Sequence, residues 1–70
     1  MKILNRAKLT FPKFTVLKSN LALNVSFSGA TYDIENVIVN NKRIAFKVGQ
    51  SYFRNVDVEK LNLDIEEVKE

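Results

Sequence analysis

Two of the side chains most useful for catalysis are missing from this 70-residue chain, which has no histidine and no cysteine. The usual general base and the soft nucleophile are therefore absent, as are the thiolate and imidazole donors of most zinc sites. Ser51 and Lys47 could formally pair as nucleophile and base. A chain this short needs its interior for a core, however, and leaves little room for the desolvated pocket such a lysine requires. Asp57, Glu59, Asp64, Glu66 and Glu67 lack the spacing and the glycine of a calcium loop, and they fit a solvated acidic surface. No glycine-rich phosphate loop is present. The expectation is a protein that binds without catalysing, with no cofactor, no metal and no small-molecule substrate.

The remaining chemistry lies in interleaved basic and aromatic residues. From Arg43 to Val48, Ile44, Phe46 and Val48 alternate with Arg43, Ala45 and Lys47. On a strand this sets two cations on one face with a small residue between them. Such a strip can lie along a phosphate backbone, each contact releasing counterions. Tyr52-Phe53-Arg54 follows, and neighbouring strand residues face opposite ways. Phe53 then belongs to the core, while Tyr52 is outside with a polar tip and a ring able to stack on a base. Lys8, Phe11, Lys13 and Phe14 form a second interleaving. Arg43, Lys47, Tyr52, Arg54, Lys8 and Lys13 are thus the candidate nucleic-acid contacts. The competing reading is structural: Phe11, Phe14, Phe27, Phe46 and Phe53 fill a core that has no tryptophan, and outward Lys and Arg guard strands against edge-to-edge association.

Charge is unevenly spread. Residues 1–54 carry nine Lys and Arg against two acids, a balance of +7, and residues 55–70 carry two Lys against six acids, a balance of −4. A basic body with an acidic end suits an anionic partner, or an internal competitor for that partner's site. Opposite charges at two ends also favour contact between copies. Eight Lys and eight Asn suggest an AT-rich bacterial or phage coding sequence.

These side chains must be positioned by a small β fold. Seventy residues make one domain (1–70) with a thin core that no disulfide reinforces. Packing against another copy or a partner is the remaining reinforcement. No apolar run exceeds three residues, so no transmembrane helix is expected, and Arg6 and Lys8 interrupt any signal-peptide core. A cytoplasmic protein is expected, and no membrane contact, since no basic amphipathic helix is evident.

The dominant periodicity is two. Ile3, Ala7, Leu9 and Phe11 alternate with polar residues up to Pro12, which cannot donate to a ladder. Phe14–Lys18 forms a second strand, ended by Ser19-Asn20. Leu21, Leu23, Val25 and Phe27 then share an expected buried face. Residues 31–48 form a hairpin whose alternation changes phase near Glu35-Asn36, as at a β-bulge. A three-residue loop would pair Ile38 with Ile44 and Ile34 with Val48. A two-residue loop at Asn41-Lys42 would instead pair Val39 with Ile44 and Val37 with Phe46. Tyr52–Val58 follows, then a turn at Glu59-Lys60. A strand over 61–65 is favoured there over a short C-terminal helix capped by Asp57, and 66–70 is expected as a frayed acidic tail.

The expectation is an all-β single domain of roughly six short strands, an antiparallel sheet or a closed SH3-like or OB-like barrel. Two functions follow. One is binding of single-stranded DNA or RNA through a basic β surface. The other is a protein-binding regulator or inhibitor, or a self-assembling homo-oligomer subunit, which suits apolar stretches such as Val37-Ile38-Val39 and open strand edges.

Overall fold

The computed structural model describes residues 1–68. Seven strands form: β1 (Lys2–Thr10), β2 (Thr15–Lys18), β3 (Asn24–Phe27), β4 (Thr31–Asn40), β5 (Arg43–Val48), β6 (Ser51–Asp57) and β7 (Asp64–Glu67). They make an antiparallel five-stranded sheet of order β6-β5-β4-β1-β7 and a two-stranded ribbon of β2 and β3. The all-β expectation holds, but the barrel does not. Strands β6 and β7 remain separate edges, and the ribbon covers one face of the open sheet. No helix forms among the described residues, so none is long and apolar enough to cross a membrane.

The core lies between the two layers. Phe27 of β3 is its centre, stacked on Phe11 at 4.4 Å between centroids and edge-on to Tyr32 and Phe53 at 5.1 and 5.4 Å. Phe53 in turn stacks on Phe46 at 5.2 Å. Such ring pairs add stability beyond the area they bury. Leu4, Ala7, Leu9, Ile34, Val37, Ile44, Val56 and Leu63 complete the buried set, with Leu17 and Val25 of the ribbon packed against it.

Both hairpin registers are used. At the tip, Asn40 faces Arg43 and Val39 faces Ile44 across the two-residue loop Asn41-Lys42, with Asn41 left-handed at φ 58°. Deeper in, Glu35 faces Lys47, the register in which Ile34 falls opposite Val48. A bulge absorbs the difference: Asn36 and Val37 stand where β5 offers only Phe46, and Asn36 takes φ 50°. The same backbone twist brings Leu4 and Ala7 of β1, three residues apart, onto the buried face. Ile3, expected inside, is consequently exposed.

The chain after β6 forms a hydrogen-bonded turn over 58–62 followed by a strand, and not the short C-terminal helix weighed for it. The Asp57 carboxylate accepts from the Lys60 amide at 2.8 Å and starts this turn. Left-handed Asn62 (φ 53°) then ends it, with the Leu63 amide donating to Val58 and that of Asn62 to Glu59. The strand that follows is Asp64–Glu67 rather than 61–65. Glu66 and Glu67, expected in a frayed tail, pair with Lys8 and Ala7 of β1; Lys69 and Glu70 lie outside the described residues.

Candidate binding faces

The outer face of the sheet carries most of the predicted site. Arg43 and Lys47 project from β5 on either side of Ala45, and Lys47 lies opposite Tyr52 of β6. The Arg54 guanidinium stands 5.5 Å from the centre of the Tyr52 ring and occupies one face of it. Lys8 lies on β1, with β4 between it and β5, and Lys13 is in the bend that enters the ribbon. Four of the six candidates thus share one neighbourhood, while Lys8 and Lys13 stand apart.

The sheet also reorganises the charge split. Strand β5 carries two cations, β4 two acids, β1 three cations and β7 three acids, each without a charge of the other sign. Across β5, β4, β1 and β7 neighbouring strands therefore alternate in sign, while β6 carries both Arg54 and Asp57. Lys8 lies between Asp33 and Glu66, Glu35 lies between Arg6 and Lys47, and Arg43 faces Asp57. Opposite charges at cross-strand positions stabilise a sheet by about 0.2–1 kcal/mol each. The acidic end of the sequence is laid against the basic β1, reinforced at the edge by Lys2 and Glu67 at 3.7 Å. Much of the +7 body is thus balanced strand by strand.

The ribbon is different. Residues 11–30 contain Lys13 and Lys18 and no acid. Phe14, Val16, Leu21 and Leu23, at 65%, 49%, 68% and 58% exposure, all stand in solvent there. Val16 and Lys18 share the outer face of β2, since Thr15 and Leu17 point inward. Phe14 and the two leucines, expected in the core, are therefore corrected to the surface. The cause is local. A strand over 21–27 would have kept Leu21 and Leu23 in phase with Val25, but Ala22 is left-handed at φ 61° and breaks the phase.

That turn is firmly held. The Ser19 amide donates to Leu23 O at 2.9 Å and the Ala22 amide to Ser19 O at 3.0 Å. The buried Ser19 hydroxyl accepts from the amides of Leu21 and Leu23 at 3.4 and 3.3 Å. Asn20 ties the turn to the sheet edge: its amide donates to Tyr52 O at 2.8 Å, and its Oδ1 accepts from the Tyr52 amide. A three-residue hairpin loop ordinarily has glycine at the left-handed position. Here alanine occupies it, at a cost of about 1–2 kcal/mol.

Two shallow concavities meet at Arg54. One, of about 350 Å³, lies over Ala45 and is bordered by Ile38, Asn40, Arg43, Tyr52 and Asn55. The other, of about 380 Å³, is lined by Lys18, Ser19, Asn20 and Arg54. No three carboxylates among the described residues converge to hold a metal ion. No family model matches the chain, and no curated protein or solved structure is significantly similar to it.

Proposed function

We propose that this protein is a non-enzymatic binding module that docks a partner protein through its ribbon. The observation that carries this reading is the turn at residues 19–23. It is braced by hydrogen bonds on three sides, yet it sets Leu21 and Leu23 in water around a strained alanine. Backbone strain that the surroundings enforce, combined with exposed apolar side chains, is characteristic of contact surfaces.

Charge selects the kind of partner. The ribbon's only charges are Lys13 and Lys18, so the complementary surface is apolar with carboxylates at its rim. A second copy meeting the first ribbon-to-ribbon would oppose these lysines with no acid between them. The acidic edge β7 of a second copy offers carboxylates, but its exposed residues Asp64, Glu66 and Glu67 give the leucines nothing apolar to enter. A different protein therefore fits better than self-assembly.

The test places a photo-crosslinking residue at Leu21 and, as a control, at Lys8, in nuclease-treated lysate of the source cell. A partner captured from position 21 and not from position 8 is then purified. Leu21→Ser/Leu23→Ser is expected to weaken its binding by tenfold or more, about 1.4 kcal/mol. Equal capture at both positions, or no change with the double variant, would sink the reading. Self-crosslinks would reassign the face to an oligomer. Co-sedimentation with anionic vesicles that the double variant abolishes would reassign it to a membrane surface.

A further inference from the structure

We infer that the depression over Ala45 binds a phosphate ester carrying a flat ring, the chemistry of a nucleotide, either free or as a unit of a single strand. The depression itself is built by β4, β5 and β6 and does not rest on the ribbon reading; only the neighbouring concavity at Lys18, Ser19 and Asn20 touches the ribbon.

The depression follows from the sequence of three strands. On β5 the outward residue between Arg43 and Lys47 is alanine, so the surface sinks there. On β4 its neighbour is Ile38, which adds an apolar wall. On β6 a bulge places both Arg54 and Asn55 opposite Ala45, with Asn55 at φ 54°. Bulges re-aim side chains, and this one brings a second guanidinium to the rim that already holds Arg43. Neither Arg43 nor Arg54 makes an ion pair among the described residues.

Two guanidiniums on one rim match the planar, multidentate geometry of a phosphate. The amides of Asn40 and Asn55 add neutral donors, and the floor of Ala45 and Ile38 suits an apolar ring. Arg54 lies over Tyr52 and is exposed, so its open face can stack on a base. Because Arg54 also lines the concavity containing Lys18, a strand leaving the first depression would enter the second. This limits the number of phosphate contacts to two or three. Arg43 is opposite Asp57 in register without an ion pair to it, and Arg6, Lys8 and Lys47 are each opposite a carboxylate, which disfavours a long polyanion track.

The experiment titrates the isotope-labelled protein with inorganic phosphate, uridine monophosphate and hexathymidylate at about 50 mM salt, where phosphate contacts are strong. Amide shifts should concentrate at Ile38–Asn40, Arg43–Ala45 and Tyr52–Asn55 and grow in that order of ligand. Arg43→Gln and Arg54→Gln should each weaken hexathymidylate about tenfold, while Lys8→Gln changes it less than about twofold. The slope of log K against log salt should lie near −1.4 to −2.1, the value for two or three contacts at about 0.7 each. Absence of shifts with hexathymidylate would overturn the inference, as would shifts spread evenly over β1 and the ribbon. A slope near −4 would replace the site with diffuse attraction. Phosphate binding as tightly as uridine monophosphate would remove the ring from the assignment.

Discussion

The five-stranded sheet and the two-stranded ribbon come from one chain and solve opposite problems. In the sheet, most apolar residues face inward, Ile3 excepted, and charges alternate in sign across β5, β4, β1 and β7, so most charged groups there are opposite a group of the other sign. In the ribbon, one face packs on the core through Leu17, Val25 and Phe27. The other face and the connecting turn present Phe14, Val16, Leu21 and Leu23 beside two lysines that no local acid balances. The sheet is largely self-satisfied, with Arg43 and Arg54 free of ion pairs among the described residues, whereas the ribbon leaves apolar side chains in solvent. Exposed apolar surface on an otherwise self-satisfied domain is where association energy is available.

The joint between the layers is the most sensitive point of the fold. Phe27→Ala should cost about 3–5 kcal/mol in urea unfolding, because it removes the ring contacting Phe11, Tyr32 and Phe53. Ribbon amides should lose exchange protection before those of β1 and β4; a loss below about 1 kcal/mol would show that the ribbon is held otherwise. Ser19→Ala should cost about 1–2 kcal/mol, since two turn amides lose their side-chain acceptor.

Charge reversal sharpens the contrast between layers. Lys8→Glu, between Asp33 and Glu66, should cost about 1 kcal/mol at low salt and less when salt screens it. Lys13→Glu, with no acid in its layer, should change stability by less than about 0.3 kcal/mol. Equal costs would contradict the strand-by-strand balance. Ala22→Gly should stabilise the fold by about 0.5–1 kcal/mol, by relieving the left-handed alanine. A destabilised Ala22→Gly protein would mean the turn is not strained.

The period-two alternation made the strands legible, because it reports which residues share a side. It does not report where a backbone turns left-handed. Asn36 and Asn55 at the bulges suit that conformation by residue type, and the bulge near Glu35-Asn36 was accordingly readable. Ala22 carries no such mark, so Leu21 and Leu23 looked like part of a buried strand. The hairpin ambiguity was physical rather than a lack of information: both registers join apolar pairs, and the bulge lets both form. The β5–β6 cations were located correctly on an outward strip. That Lys47 lies opposite Glu35 and Arg43 opposite Asp57 is not legible, because cross-strand register depends on the bulges. The one available cue to the ribbon was its composition, a stretch rich in apolar residues with lysines and no acid.

Leu21 and Leu23 are held out of the core and add little to the fold. Urea unfolding of Leu21→Ser/Leu23→Ser tests this directly, independently of any partner. The predicted change in unfolding free energy is within about 0.5 kcal/mol, the range for surface positions. A loss above about 3 kcal/mol, the scale for truncating buried leucines, would place them in the core and contradict the account.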